Sequence, residues 1–325
     1  MDSERQSFVV QSPQAGRTVL SALRDWLPGH SWSALRKLLA ARRVLVNHAL
    51  CLDEARRLKE GEVVELSGRA QRPPPSAGDV GVVYVDADVI VVDKPSGMIT
   101  LRHAAERDWS SDKKSRQPAL DDLLAELIAR SEHVPPKAVG PIFSVHRIDR
   151  ETSGLLVFAR RPAARDALIA QFEAHSVERM YLAVVRGDIA AQTFDSYLVA
   201  DRGDGRRGST TVPGAGKHAV THVRPLEQLN GWTLLECRLE TGRTHQIRIH
   251  LSEAGHPVYG DTKYAPALTP EARSRVQRLA LHAAMLGFDH PMDGRHLRFE
   301  SPPPRDFQAI VSVFRATNVG GEPAG

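Results

Sequence analysis

Cysteine is nearly absent from this chain of 325 residues, in which Cys51 and Cys237 are the two thiols. They stand isolated in the sequence, so the chain offers neither a disulfide framework nor a cysteine-rich zinc site. A glycine-rich nucleotide-binding loop is missing as well. The fold must therefore be stabilised by its hydrophobic core.

Long apolar segments are also missing. No window approaches the roughly 18 uncharged apolar residues of a membrane-spanning helix. The first residues, Met-Asp-Ser-Glu-Arg-Gln, lack the basic-then-apolar order of a signal peptide. We therefore expect a cytoplasmic protein without a membrane segment. At 42% hydrophobic and 25% charged residues, the composition is that of a folded chain and argues against disorder.

The clearest break in composition is the stretch GRAQRPPPSAG over residues 68–78, where three consecutive prolines can continue neither a helix nor a sheet. A chain of 325 residues is long enough for one large and one small domain. We therefore predict a small domain over residues 1–67, a linker over 68–79, a large domain over 80–315 and a flexible tail over 316–325.

The pattern of the small domain predicts two short helices followed by a β-ribbon. Apolar residues recur at helical spacing over 19–27 and 32–39. Short apolar runs at 44–46 and 63–66, each next to a turn, predict the two strands of the ribbon.

The large domain is rich in predicted strands, with helices between them and no strict alternation. Strands are predicted at 82–85, 89–92, 155–159, 181–185, 219–223, 233–239, 279–286 and 296–299. Helices are predicted at 120–128, 164–172 and 307–314, and a polar surface excursion at 101–116. This order indicates an α+β fold with a mixed, largely antiparallel sheet and flanking helices.

Positive charge is concentrated in the small domain. The whole chain has a net charge of +4, whereas residues 17–72 alone carry eleven basic and six acidic side chains, a net charge of +5. A solvated helix face explains such a cluster as well as a binding surface does. The phrase SWSALRKLLAARRVLVN, however, resembles the S4-type RNA-binding module. The resemblance implies a small S4-like α/β domain that contacts RNA, with Arg36, Lys37, Arg42 and Arg43 as the candidate residues.

The segment from His146 to Val157 contains an aspartate between two arginines, followed by Thr-Ser-Gly and an apolar strand. A carboxylate between cations is expected to stay ionised, which suits a nucleophile better than a general acid. A salt bridge within a loop explains the same pattern, and the pattern alone favours it.

The stretch HRIDRETSGLLVFAR resembles the signature of the RluA-type pseudouridine synthases, which reads H-R-L-D-x-x-T-S-G-L-L. Four further stretches resemble motifs of that family in the family's order: VIVVDKPSGM, RMYLAVVRG, ETGRTHQIRIHLSEAGHPVYGDTKY and RLALHA. Together they cover about residues 80 to 300. The resemblance implies a pseudouridine synthase fold and the isomerisation of uridine to pseudouridine in structured RNA, ribosomal RNA before transfer RNA, without a cofactor.

Carried over by position, the resemblance implies three catalytic residues. Asp149 is the nucleophile, Tyr181 lies against the uracil ring, and Arg248 pairs with Asp149. The resemblance also implies that His146 and Arg147 bind the substrate, with Arg147 filling the gap left by a flipped nucleotide. It leaves open whether Asp149 attacks the ring or the ribose.

The stretch GRTHQIRIHLSEAGHP predicts the helix that carries Arg248. We expect Thr244 to cap this helix and Gly255 to end it, with Arg248 at the edge of its buried stripe. Leu279 and Leu281 correspond to residues that wall the uracil pocket in the family. For alternating leucines, packing in the core is the default explanation. The same leucines can also line the pocket, because the pocket wall and the core can be one surface.

Other functions remain to be weighed against this one. His245 and His250 are five positions apart without a suitable carboxylate, so we predict no metal site. A non-catalytic RNA-binding or ribosome-assembly protein that keeps the fold is an alternative, but it should have lost the aspartate, the arginine or the tyrosine. A nucleoside-cleaving hydrolase gains nothing from a separate RNA module. We therefore expect RNA as the partner, no membrane, no obligatory protein partner and a monomer.

Overall fold

The computed structural model describes residues 6–47, 49–203, 206–265 and 278–316. The chain divides into two units, one with the described residues of 1–74 and 103–118, the other with those of 75–102 and 119–325. The predicted flexible tail lies outside the described residues, apart from its first residue. Across the described ranges, no helix has the length and apolar character needed to cross a bilayer.

The first unit contains a small antiparallel sheet with strand order β1-β4-β2-β3. Its elements are β1 (Gln6–Val9), α1 (Val19–Trp26), α2 (Trp32–Ala40), β2 (Val44–Val46), β3 (Ala49–Leu50), β4 (Val63–Leu66) and α3 (Ser111–Arg116). The side chains of Thr18 and Ser31 cap α1 and α2 by accepting backbone N–H groups. Both predicted helices and both predicted strands are therefore confirmed, whereas β1 and β3 were not predicted.

The segment 103–118 groups with this first unit, although its sequence lies between strands of the other. Lys113 explains part of this association, because its ammonium lies 3.0 Å from a carboxylate oxygen of Asp53. The same ammonium lies 4.1 Å from the centre of the Trp109 ring. The polar excursion predicted from the sequence therefore contains a helix, α3, with a defined ion pair to the small unit.

The second unit contains an eleven-stranded sheet of described residues. Its path is β11-β10-β12-β13-β9-β14-β8-β6-β5, with β15 paired to β14 and β7 paired to β8. The strands are β5 (Gly81–Val85), β6 (Val89–Lys94), β7 (Phe143–Ser144), β8 (Ser153–Ala159), β9 (Glu178–Arg186), β10 (Gln192–Val199), β11 (Gly208–Thr210), β12 (Lys217–Leu229), β13 (Trp232–Leu239), β14 (Leu281–Asp289) and β15 (His296–Glu300). The helices are α4 (Leu120–Glu132), α5 (Pro162–Glu173), α6 (Gln246–Glu253) and α7 (Arg305–Ala316).

Among the strand pairs of this sheet, β8 and β14 run parallel and the others run antiparallel. The predicted fold class, an α+β fold with a mixed, largely antiparallel sheet and flanking helices, is therefore confirmed. The strand predicted at 279–286 begins later, at Leu281, and continues to Asp289. Ala280 instead donates its N–H to the carbonyl of Tyr259 at 2.8 Å, outside the ladder.

Candidate active site

Asp149 lies in the loop that connects β7 to β8, just before a strand whose residues are all buried. The turn after β6 holds this loop by its backbone. Thr100 Oγ1 donates to the carbonyl of Ile148 at 2.6 Å, and Ser96 Oγ donates to the carbonyl of Glu151 at 2.6 Å. Carbonyls on both sides of Asp149 are therefore fixed, which restricts where its carboxylate can lie.

Lys94, the last residue of β6, is fully buried beside the same loop. Its ammonium donates to the carbonyl of Met98 at 2.8 Å and to that of Arg150 at 3.2 Å. Burial lowers the pKa of Lys94 to about 7, although the charges of Glu151 and Asp149 oppose this shift. The sequence analysis gave Lys94 no role, and its one signal was a lysine at the end of an apolar strand.

Lys94→Met should remove a pH-dependent part of the stability. The pKa of Lys94 is about 7 in the folded protein against 10.5 for a free lysine. Between these values the unfolded chain binds more protons, so the free energy of unfolding should rise with pH. We expect this group to contribute a rise of up to about 3 kcal/mol between about pH 7 and pH 9.5. Urea unfolding at both pH values measures it.

The control for this measurement is Lys217→Met, which replaces an exposed lysine of the same unit. Lys217→Met should keep the pH dependence of the wild type, whereas Lys94→Met should lose the part described above. An identical pH dependence in all three proteins would contradict the assigned pKa of Lys94.

Arg248 connects Asp149 to a second carboxylate. Its Nη1 atom lies 3.2 Å from Asp149 Oδ2, although 99 positions separate the two residues. Its Nε and Nη2 atoms donate to the two oxygens of Asp261 at 2.7 and 2.9 Å, which makes a bidentate pair. Burial alone would lower the pKa of Arg248, but the hydrogen bonds and charge of Asp261 and the charge of Asp149 raise it. A permanent positive charge therefore stands beside Asp149.

Asp261 is a member of this group that the sequence analysis missed. Its carboxylate also accepts the backbone N–H groups of Lys263 and Tyr264 at 2.9 and 3.0 Å. Burial alone would raise the pKa of Asp261, but Arg248 and these N–H groups lower it. Residues 246–251 are all buried, so Arg248 lies inside the buried part of α6 rather than at the predicted edge.

The start of α6 differs from the prediction. The helix begins at Gln246, and the residue before it, His245, has a left-handed backbone with φ of 60°. The side chain of Gln246 holds the preceding turn, because its Oε1 accepts from Thr241 Oγ1 at 2.8 Å and from the N–H of Arg243 at 3.0 Å. The prediction of Thr244 as the cap was therefore wrong.

Tyr181 lies on β9 within the apolar cluster that contains Ile148, Leu279 and Leu281. Leu279 and Leu281 are 2% and 3% exposed and are therefore part of the core. Burial raises the pKa of Tyr181 to about 12, which keeps its phenol protonated at neutral pH. Because Ile148 directly precedes Asp149, this apolar cluster continues up to the carboxylate.

His146 and Arg147 have different surroundings. The His146 ring stacks on Phe172 with centroids 4.6 Å apart, and its Nε2 accepts the N–H of Val157 at 3.1 Å. Burial, together with the charge of Arg179, lowers the pKa of His146 to about 3, so the ring is neutral. Arg147 is exposed, and within the described ranges no hydrogen bond or ion pair engages its guanidinium. Arg147 is therefore accessible to a ligand, whereas His146 is held by protein contacts.

The four basic candidates of the first unit also fall into two groups. Arg36 and Lys37 are exposed on α2, where Arg36 Nε lies 2.9 Å from a carboxylate oxygen of Glu54. The other two are half-buried and hold the end of the small unit: Arg42 Nε donates to the carbonyl of Gln71 and Arg43 Nε to that of Ser67, each at 2.8 Å. Trp32, grouped with the apolar stripe in the sequence, is 47% exposed at the start of α2.

The two histidines considered for a metal site do not converge. His250 lies 2.9 Å from both Ser196 Oγ and Thr221 Oγ1, while His245 contacts Tyr264. The described part of the chain brings three possible ligands together elsewhere, Asp86, Asp88 and His290. Arginines already neutralise these carboxylates, since Arg161 lies 3.2 Å from Asp88 and Arg295 lies 3.7 Å from Asp86. We therefore assign no metal to this group.

The arrangement around Asp149 can perform one kind of chemistry well. The carboxylate is partly exposed, with 18% of the side chain accessible, and a charged arginine holds one of its oxygens. Apolar and aromatic side chains lie beside it. Such a site can attack a flat, uncharged group and stabilise the charge that moves during the reaction.

Comparisons with known proteins agree on one family. Residues 88–253 match the family model described as RNA pseudouridylate synthase. The chain is similar to a protein named uncharacterized RNA pseudouridine synthase YlyB of Bacillus subtilis, with 40% identity over 73% of each chain. It is also similar to the ribosomal large subunit pseudouridine synthase D of Xanthomonas campestris, with 34% identity over 97% of this chain and 94% of the relative.

A solved structure gives the same result for the fold. The structure titled human RNA pseudouridylate synthase domain containing 4 superposes with a TM-score of 0.57 and 25% sequence identity. The match covers 73% of this chain and 93% of the human chain.

Proposed function

This chain belongs to the RNA pseudouridylate synthase family and isomerises uridine to pseudouridine in RNA. We propose that its substrate is ribosomal RNA and that Asp149 is its nucleophile. The relatives named ribosomal large subunit pseudouridine synthase D support ribosomal RNA as the substrate. The observation that supports Asp149 is its carboxylate, held at 3.2 Å by the buried Arg248 beside the cluster of Tyr181. The non-catalytic alternative is not favoured, because the relatives are named as enzymes.

The proposed reaction exchanges the bond from C1′ to N1 for a bond from C1′ to C5, and the hydrogen on C5 for one on N1. Asp149 attacks the nucleotide and forms a transient covalent bond to it, and the bond between C1′ of the ribose and N1 of uracil breaks. The uracil then turns in the site, its C5 atom forms a new bond to C1′, and the bond to Asp149 breaks, which releases the carboxylate. Arg248 and Asp261 keep the carboxylate in place, since Arg248 is fixed by two hydrogen bonds to the buried Asp261.

The target uridine must leave its stack before Asp149 can reach it. The exposed guanidinium of Arg147, two positions before Asp149, is the group we assign to the gap that the flipped nucleotide leaves. A planar cation can both stack on bases and donate several hydrogen bonds there. The apolar cluster with Tyr181 and Leu281 then receives the uracil ring.

Mapping pseudouridine in cellular RNA with and without this gene tests the substrate. We expect a small set of positions in ribosomal RNA to lose pseudouridine when the gene is deleted and to regain it with the wild-type gene. Unchanged ribosomal RNA together with lost positions in transfer RNA would contradict the proposed substrate, although not the reaction.

The first unit is proposed to bind RNA through the exposed basic face of α2. Arg36→Gln with Lys37→Gln should weaken binding to structured RNA of any sequence, because phosphate contacts carry no sequence information. The plot of log affinity against log salt should become less steep by about 0.7 to 0.9 for each phosphate that the variant no longer neutralises. Arg238→Gln, at an exposed arginine of the second unit, is the control. An unchanged slope in the double variant would remove α2 from the interface.

The remaining expectations follow from the same proposal. An enzyme of cellular RNA is expected in the cytoplasm. We also propose that it works as a monomer and without a cofactor, since the residues assigned above belong to one chain and the reaction transfers no external group.

A further inference from the structure

His245 has an unusual position next to the Asp149 carboxylate. Its backbone is left-handed, with φ of 60°, a conformation that costs free energy in residues other than glycine. This conformation directs the imidazole to two groups. Its Nδ1 lies 2.6 Å from the hydroxyl oxygen of Tyr264, and its Nε2 lies 3.8 Å from Asp149 Oδ1. The sequence analysis weighed His245 only as a metal ligand.

The two oxygens of Asp149 have different neighbours. Oδ2 accepts a hydrogen bond from Arg248 Nη1 at 3.2 Å, whereas Oδ1 faces His245 Nε2 at 3.8 Å. A hydrogen bond from a cation stabilises the charge on an oxygen and makes that oxygen a weaker nucleophile. Oδ1 is therefore the oxygen that Arg248 does not hold, and the His245 ring faces this oxygen.

The reaction also requires a proton to move within the uracil. After C5 has bonded to C1′, C5 must lose its hydrogen as a proton and N1 must gain one. Tyr181 is a poor acceptor, because burial raises the pKa of its phenol to about 12. Lys94 is fully buried, and its ammonium already donates to the backbone carbonyls of Met98 and Arg150.

His245 can accept this proton because its ring is neutral in the free protein. Burial lowers the pKa of His245 to about 4; Asp149 opposes the shift, whereas Arg248 and Lys263 add to it. The Asp149 carboxylate, 3.8 Å from Nε2, stabilises the imidazolium that forms transiently during the transfer. Tyr264 keeps the ring oriented through its contact with Nδ1.

We propose that His245, oriented by Tyr264, carries the proton from C5 to N1 of the uracil. This proposal rests on the proposed role of Asp149. The C5–H bond breaks, its electron pair returns to the ring, and Nε2 takes the proton. The imidazolium then gives the same proton to N1, whose lone pair was left when the glycosidic bond broke. The step is balanced and needs no other reactant.

A deuterium label at C5 of the target uridine tests this assignment. In His245→Asn, which tolerates the left-handed backbone, we expect single-turnover isomerisation to slow by about 100- to 10,000-fold. The deuterated RNA should react more slowly than the protonated RNA in this variant, and the difference should exceed that of the wild type. Tyr264→Phe should show the same isotope effect with a smaller loss of rate. His256→Asn, at a histidine that contacts the carbonyl of Arg186, should behave as the wild type.

Two results would overturn the proposal. One is a folded, RNA-binding His245→Asn that keeps the wild-type rate, and the other is a slower variant without an increased isotope effect. If His245→Asn does not fold, Tyr264→Phe decides in the same way, since it removes a single hydroxyl. These results test the role of His245 separately from the proposed function. The variants still form pseudouridine through Asp149, and the isotope effect reports only on the removal of the C5 proton.

Discussion

Gly154→Ala is expected to prevent the large unit from folding. Gly154 has a φ of +113°, and a Cβ atom there would lie 2.2 Å from the carbonyl oxygen and 2.6 Å from the nitrogen of Ala283. Both are backbone atoms, so no side-chain rotation relieves the clash. The two residues face each other in the parallel pair of β8 and β14, which joins the two halves of the main sheet. The strands would have to separate at the point where the Asp149 loop ends.

Soluble yield and thermal unfolding measure this effect against a matched glycine. Gly294 also has a positive φ, +72°, but nothing lies within 4 Å of the Cβ that an alanine would add. Gly294→Ala should therefore lose about 1 to 2 kcal/mol of stability from backbone strain alone. Gly154→Ala should lose more than about 4 to 5 kcal/mol, if it folds at all. A folded Gly154→Ala as stable as Gly294→Ala would contradict the close approach of the strands.

The same glycine shows what the sequence could and could not predict. Gly154 stands in a stretch that resembles a family signature, and the strand after it was predicted from its apolar run. Its neighbour Ala283, by contrast, is far away in the sequence, and no periodicity predicts that two backbones meet there. Local patterns predicted the elements, such as α2 and β8, because helix and strand periods are properties of the segment itself.

Residues of the site that depend on turns were harder to predict. The pairing of Asp149 with Arg248 was expected from the family resemblance, and the structure has the two groups 3.2 Å apart. Asp261, which holds the other side of Arg248, was not expected, because its position depends on the turn that gives it two backbone N–H donors. The prediction of Thr244 as the helix cap was wrong for a similar reason, because the side chain of Gln246 accepts hydrogen bonds from Thr241 and Arg243 and so holds the turn before the helix.

Asp149→Asn should abolish pseudouridine formation while leaving fold and RNA affinity nearly intact. The substitution keeps the size of the side chain and an oxygen for Arg248, but it removes the nucleophilic charge. We expect isomerisation to slow by at least about a thousandfold. If Asp149 only tied its loop to Arg248, the cost would appear as stability, up to about 3 to 5 kcal/mol for a buried pair. Activity would then fall only with the folded fraction.

The most direct test measures thermal unfolding, RNA affinity and single-turnover isomerisation on the same preparation of Asp149→Asn. Glu151→Gln is the matched control, because its carboxylate lies two positions away and 4.0 Å from Arg248 but is about half exposed. The predicted result is a folded, RNA-binding Asp149→Asn without detectable pseudouridine, next to an active Glu151→Gln. Substantial isomerisation by well-folded Asp149→Asn, or a loss of activity that matches its loss of stability, would contradict the nucleophilic role of Asp149.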